Sequence, residues 1–192
     1  TYFINFAPNS TYFVPEWNNF TSAHTIVPPQ EIMLQDEFGQ PSNIIVKPLK
    51  RSTAPKLDWG TANVGGLGPD DIPVNAYNSF WATNTYATIE EIMVARLLFS
   101  GLDKDKTYTF RAFGSSSQAS STVIPGKIKI NGKYSNSVNM IGNKNQYMIL
   151  EDMIPSTGGT IEMDLIPDMP KDVNKSVRIN YLILEERSQP PY

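Results

Sequence analysis

Two β-strand patterns joined by a short polar turn occur in residues 95–114, ARLLFSGLDKDKTYTFRAFG. In the second pattern Tyr108, Phe110 and Ala112 alternate with more polar residues, which is the period of a half-buried strand. Tyr108 stands at the mouth of that strand, shortly after Leu102. A tyrosine in this place suits a corner where the chain passes between the sheets of a sandwich, with its hydroxyl bonded back to the preceding loop. The stretch therefore predicts an antiparallel sandwich of Greek-key or jelly-roll type.

The same alternation continues through most of the chain and gives about ten strands and no convincing helix. Asn131-Gly132 adds a strong signal for a tight hairpin. Residues 50–73 differ, because they combine few aliphatic side chains with several glycines and prolines, which is typical of a functional loop. No repeat or linker divides the chain, so we expect an all-β, single-domain sandwich over residues 1–187 and a flexible tail at 188–192.

Composition narrows the classes of function. The 192 residues include no cysteine, which excludes disulfides, thiol catalysis and zinc sites built on sulfur. The 16 Lys and Arg against 19 Asp and Glu give a net charge of −3 and no basic run, so no nucleic-acid partner is expected. No apolar run is long enough to span a bilayer. Abundant Asn, Ser, Thr, Gly and Pro with 18% charged residues indicate an extracellular, cell-surface or periplasmic protein.

The residues that most often perform catalysis are not arranged for it. His24 is the sole histidine, and the Gly-x-Ser-x-Gly pattern of a serine nucleophile does not occur. Most neighbouring carboxylates are adjacent in sequence and would point to opposite faces of an extended chain, whereas Glu162 and Asp164 share the solvent face of a predicted strand. We therefore assign no catalytic residue, and a hydrolase that uses distant acids remains an alternative.

Metal binding has two candidate segments. Asp103-Lys104-Asp105 and Asp70-Asp71 could supply oxygens to a structural calcium ion, but neither has the complete ligand spacing of a calcium loop. Both segments are typical of turns. No cofactor is predicted, and structural calcium is kept as an alternative.

Aromatic residues in polar loops are the strongest candidates for a binding site. A sugar ring offers an apolar face and a rim of hydroxyls, so its binder needs an exposed ring beside Asn, Asp or Arg side chains. The residues with this character are Trp17, Asn18, Trp59, Trp81, Asn84, Tyr86 and Arg111. If they form one site, the three tryptophans should share a concave surface. The alternative is that each tryptophan packs in the core.

Several short motifs occur along the chain in a characteristic order. They are Ile4-Asn5-Phe6, Trp17-Asn18-Asn19, Ser79-Phe80-Trp81, the run from Ser100 to Tyr108 continuing through Phe113-Gly114-Ser115, and Tyr181-Leu182-Ile183-Leu184-Glu185. In this order they resemble a family of β-sandwich modules of exported bacterial proteins, found alone or appended to polysaccharide-active and esterase-type enzymes. The resemblance implies a galactose-binding-like jelly roll that binds carbohydrate without catalysis, beside a catalytic domain or protein.

The leading hypothesis from the sequence is thus a non-catalytic carbohydrate-binding module whose loop aromatics hold a glycan. A second hypothesis is a structural or adhesive domain of fibronectin type III-like or pilin-like kind, in which all three tryptophans are buried. A glycan hydrolase or esterase is the third. Burial of the tryptophans and loss of turnover on mutation of a carboxylate distinguish the three.

Overall fold

The computed structural model describes residues 1–7, 9–21, 31–49, 58–60, 67–82, 95–116, 125–168 and 177–188, without the side chains of 58–60 and 82. It is an antiparallel β-sandwich of jelly-roll type, which confirms the predicted fold class. The strands are β1 (Tyr2–Phe6), β2 (Asn18–Phe20), β3 (Ile32–Gln35), β4 (Pro41–Leu49), β5 (Asp58–Gly60), β6 (Phe80–Ala82), β7 (Ala95–Ser100), β8 (Lys106–Phe113), β9 (Gly126–Ile130), β10 (Lys133–Tyr134), β11 (Tyr147–Met153), β12 (Ile161–Pro167), β13 (Arg178–Ile179) and β14 (Tyr181–Ser188). The helical elements are a 3-10 turn, Ser10–Tyr12, and α1, Val74–Tyr77.

Three sheets contain these strands. The five-stranded sheet has the order β11-β8-β14-β1-β2, the six-stranded sheet β10-β9-β12-β7-β4-β3, and a small three-stranded sheet β13-β6-β5. Consecutive strands from β7 to β9 lie alternately in the six- and five-stranded sheets, as do β11, β12 and β14. Among the strands that the structure describes, every pair is antiparallel except β1 with β2, which is parallel. This alternation brings the apolar faces of the two large sheets together.

The core lies between those two faces and is built from the alternating residues of each long strand. Phe99 of β7 and Phe110 of β8 meet edge to face, with ring centroids 5.2 Å apart. Trp81 of β6 is fully buried and stacks on Phe6 at 5.7 Å. Such aromatic contacts bury large apolar areas and therefore dominate the stabilisation of a core.

The predicted corner at Tyr108 is confirmed. Its ring is fully buried, and its hydroxyl accepts a hydrogen bond from the Asp103 backbone N–H at 2.9 Å. Burial raises the pKa of Tyr108 well above that of a free tyrosine. The turn before it depends on Gly101, which has φ +72° and lies so close to the Asn43 carbonyl oxygen that a Cβ atom would overlap it. The corner is therefore fixed by both packing and backbone geometry.

The structure also refines several expectations. Within the described residues there are fourteen strands rather than about ten, because five of them have only two or three residues and give no alternating pattern. The hairpin at Asn131-Gly132 is confirmed, with φ values of +49° and +80°. Residues 137–141, which follow this hairpin, form an irregular segment with two isolated bridges rather than a regular strand. β14 ends at Ser188, and residues 189–192 of the predicted tail lie outside the described residues.

Candidate functional site

The outer face of the five-stranded sheet carries a row of large side chains. Arg111 on β8 is in register with Ile183 on β14, and Ile183 is in register with Phe3 on β1. Their sequence neighbours Phe110 and Leu182 point into the core, so the alternation of each strand turns this row away from it. Arg111 is on the outward face, as its strand pattern predicted.

One end of this outer face is covered by a second apolar cluster. Its members come from the sheet and from the two segments that cross it: Val14, Ala76, Phe113 and Tyr181, with Trp17, Ile72, Tyr77, Tyr147 and Ile183 packed against them. Inside the cluster the hydroxyls of Tyr147 and Tyr181 lie 2.7 Å apart, and burial raises the pKa of both. Both phenols therefore stay neutral at physiological pH. The end of the outer face that this cluster leaves uncovered forms a cleft.

Trp17 is held at the edge of this cleft by the side chain of Asn19. The Asn19 Nδ2 donates to the carbonyls of Val14 at 2.8 Å and Trp17 at 3.0 Å. Its Oδ1 accepts from the Val14 N–H and from the Nδ2 of buried Asn5, both at 2.9 Å. Asn5 in turn donates to the Tyr12 carbonyl at 2.8 Å. These bonds fix the loop to the sheet and so orient the indole.

Asn18 has a different role from the one that the sequence predicted. Its Nδ2 donates to the carbonyls of Phe3 at 3.0 Å and Gln35 at 2.8 Å, and its Oδ1 accepts from the Gln35 N–H at 2.7 Å. Phe3 belongs to the five-stranded sheet and Gln35 to the edge strand of the six-stranded sheet. The amide is therefore committed to joining the two sheets, and we leave Asn18 out of the candidate site.

The cleft has a volume of about 480 Å³, which is in the range of small-molecule sites. Its walls are Phe3, Trp17, Asp71, Ile72, Pro73, Arg111, Tyr147, Ile183 and Glu185. Trp17 stacks on Phe3 with centroids 4.9 Å apart and meets Tyr181 edge to face at 5.6 Å. On the polar side the Arg111 Nε lies 3.4 Å from a Glu185 carboxylate oxygen. The arrangement offers aromatic rings next to hydrogen-bonding and charged groups.

The structure brings together only part of the predicted site. Trp17 and Arg111 line the same cleft, whereas Trp81 has no exposed surface and cannot stack on a ligand. Trp81 therefore takes no part in a concave surface shared by the three tryptophans. It packs against Phe6 in the core, as the alternative hypothesis predicts for each tryptophan. The Trp59 backbone pairs with that of Trp81 in the three-stranded sheet. The Trp59 side chain and the residues Asn84 and Tyr86 lie outside the described part of the chain.

Several residues of the cleft were missed by sequence reasoning. Phe3 and Glu185 lie on β1 and β14, and only the pairing of β1 with β14 and of β14 with β8 places them beside Arg111. Asp71 and Tyr147 come from a turn and an edge strand far apart in sequence. Alternation along a strand indicates which side chains face outward. It does not give the register between strands, which decides which of those side chains are neighbours.

The two candidate calcium segments behave as turns where the structure describes them. The Asp103 Oδ1 accepts a hydrogen bond from the Asp105 N–H at 2.9 Å, and the Lys104 ammonium pairs with the Asp105 carboxylate at 2.8 Å. No cluster of three or more His, Cys, Asp or Glu able to hold a metal occurs in the described ranges. Across the same ranges, no helix has the length and apolar character needed to cross a membrane.

Comparison with known proteins gives similarity in fold only. No known protein family and no curated protein sequence matches the chain. Among solved structures, the ANX1 ectodomain from Arabidopsis thaliana is 15% identical with a TM-score of 0.53, and the match covers 74% of this chain and 41% of that one. The ANXUR1 extracellular domain from the same plant is 14% identical with a TM-score of 0.52, covering 74% and 40% of the two chains.

The chain therefore spans about two fifths of the length of these two ectodomains. At such low identity the likeness concerns architecture, and the matched proteins are extracellular domains of plant origin. The chain has the β-sandwich architecture found in those ectodomains.

Proposed function

We propose that this protein is a non-catalytic carbohydrate-binding module and that the cleft beside Trp17 is its glycan site. The observation that carries the proposal is the meeting of Trp17, Phe3 and Arg111 in one cleft on the outer face of the five-stranded sheet. An indole presents a flat apolar surface to the C–H face of a sugar, and a guanidinium and carboxylates beside it bond to hydroxyls.

The surroundings of the cleft favour binding over chemistry. Its carboxylates, Asp71 and Glu185, come with no histidine among the residues that line it. The Glu185 carboxylate is already paired with Arg111 and with Arg187, at 3.4 Å and 3.3 Å. A carboxylate whose two oxygens already lie against guanidinium groups is not placed to take a proton from a reacting group. The proposed role is therefore recognition.

We place the protein outside the cell, at the cell surface or in the periplasm. The extracellular origin of the two similar folds supports this location, as does the composition of the loops. The motifs that resemble modules of exported bacterial proteins support the further proposal that it acts beside a polysaccharide-active domain or protein. In that setting the module would keep its partner close to a glycan.

Glycan-array and affinity-electrophoresis measurements with the intact chain test the proposal. Trp17→Ala should weaken glycan binding by about five- to thirtyfold, since one stacked aromatic contributes roughly 1 to 2 kcal/mol. Tyr134→Ala is the matched control, because Tyr134 is also an exposed aromatic but lies on β10 of the other large sheet. Equal binding by all three proteins, or no glycan bound by the wild type, contradicts the proposal.

A structural or adhesive role is the second candidate, and the burial of Trp81 favours it. In that case the cleft aromatics serve only as packing, and Trp17→Ala would lower stability without changing the binding of any glycan. Acrylamide quenching separates the two candidates further. A glycan in the cleft should protect Trp17 fluorescence from the quencher, while a purely structural tryptophan would show no response to added glycan.

A further inference from the structure

The acidic side chain of Glu185, at the cleft, pairs with two arginines. The Glu185 carboxylate lies between two guanidinium groups, with one oxygen 3.4 Å from Arg111 Nε and the other 3.3 Å from an Arg187 terminal nitrogen. Arg111 lies on the cleft wall and Arg187 farther along the same strand as Glu185, where its side chain is half exposed. One carboxylate thus pairs with two guanidinium groups at this end of the outer face.

Asp71 is the other charged residue of the cleft wall. It approaches from the segment that covers the sheet, and its negative charge acts on the Tyr147 hydroxyl inside the cleft. The residues that line the cleft thus include two carboxylates, Asp71 and Glu185, and one guanidinium, Arg111, so their formal charge is −1. Arg111, the one cationic residue among those that line the cleft, already lies beside Glu185.

We propose that the cleft selects uncharged sugars over uronic acids and sulfated sugars, and that Glu185 is the residue that sets this selectivity. The proposal rests on the function proposed above and names the ligand class of the same site. An acidic sugar would bring its anion close to two carboxylates in a partly desolvated cleft, where like charges repel more strongly than in bulk water. Its attraction to Arg111 would be offset by repulsion from Asp71 and Glu185.

An uncharged sugar meets the opposite situation. Its hydroxyls can donate hydrogen bonds to the carboxylates of Asp71 and Glu185 and accept them from Arg111, while its C–H face lies on Trp17. Every charged group in the cleft keeps its ion pair or gains a hydrogen bond. Selectivity then comes from an unfavourable interaction with the wrong ligand as much as from contacts with the right one.

The test uses two pairs of polysaccharides, each with a neutral and an acidic member: galactan with polygalacturonate, and arabinoxylan with glucuronoxylan. The wild type should bind the neutral member of a pair more tightly. Glu185→Gln keeps the side-chain shape but frees both arginines, so affinity for the acidic member should rise about tenfold and the gain should shrink with added salt. The double variant E185Q/R111Q should lose most of this gain.

Two further variants keep the result interpretable. Glu162→Gln changes the net charge by the same amount on the six-stranded sheet and should leave the preference unchanged. Asp71→Asn removes the other carboxylate of the cleft from an exposed turn, so it provides the same test with a smaller expected gain if Glu185→Gln does not fold. Thermal unfolding establishes that each variant is folded.

The outcomes separate the inference from the function on which it rests. If the wild type binds the acidic members best, or if neither Glu185→Gln nor Asp71→Asn improves acidic binding, the inference is overturned while glycan binding stands. If the wild type binds none of the four polysaccharides and no member of a wider array, the proposed function is refuted and the inference with it.

Discussion

Asn19→Ala should destabilise the protein by about 3 kcal/mol, although Asn19 lies in a loop-adjacent strand rather than in the core. The substitution removes four hydrogen bonds, two donated to the Val14 and Trp17 carbonyls and two accepted from Val14 and Asn5. Each such bond contributes roughly 0.5–1.5 kcal/mol, which gives about 2 to 6 kcal/mol for the set. The lower part of this range applies, because several partners are only partly buried and can bond to water instead.

Urea unfolding followed by far-UV circular dichroism measures this change, and Asn18→Ala is the matched comparison. Asn18 makes three hydrogen bonds, and the two to Gln35 are at an exposed edge, so its loss should cost only about 1 to 2 kcal/mol. Asn19→Asp keeps the two hydrogen bonds that the side chain accepts and loses the two that it donates. Its carboxylate would also face the carbonyl oxygens of Val14 and Trp17, so its loss of stability should be at least half that of Asn19→Ala.

Trp17 provides a second readout of the same substitution. If Asn19 orients the loop, its removal should make the indole more accessible to acrylamide and weaken glycan binding in protein that is still folded. A loss of stability below 1 kcal/mol, or one no larger than that of Asn18→Ala, would show that this hydrogen-bond network does not hold the loop.

Two further predictions concern the scaffold. Burial raises the pKa of Tyr108 and Tyr181 above the usual 10.0. The stability that each neutral phenol contributes is therefore fully present below pH 10 and is lost as the pH rises beyond it. The Phe variant at either site should show a shallower decline in urea midpoints between pH 9 and pH 11. Gly101→Ala should cost well over 2 kcal/mol, because it combines positive φ with overlap on the Asn43 carbonyl, whereas Gly39→Ala, with φ +74° and open space, should cost only about 1 kcal/mol. Thermal melts compare the two, and equal costs would contradict this account of the corner.

The parts of the fold that the sequence predicted are those governed by local alternation. Tyr108 and Arg111 lie on one strand, so a period of two was enough to place the first in the core and the second outside it. Trp81 was harder to place, because β6 has only three residues and the burial of its indole depends on Phe6 and on a third sheet. Short strands carry too few residues for alternation to indicate a face.

The binding residues were predicted incompletely for a related reason. Asn18 and Trp17 are neighbours with the same polar surroundings in sequence, but distant backbone groups at Phe3 and Gln35 commit the Asn18 amide to the scaffold. Glu185 was visible as an acidic residue on a predicted strand, and only its register opposite β8 brings it to Arg111. Composition can suggest the chemistry of a site, while strand pairing decides which residues take part.

The origin of the cleft lies in the parallel pairing of β1 with β2. Neighbouring antiparallel strands can be joined by a tight turn, but parallel neighbours need a connection that crosses over the sheet. Here the connection includes residues 9–17, and it passes over the outer face of the five-stranded sheet, where Val14 and Trp17 pack on the side chains of that face. Because the connection covers only part of the face, its edge becomes a wall, and Trp17 is the residue at that edge. Asn18 and Asn19 follow at once in β2, so the strand that requires the crossover also supplies the side chains that fix it.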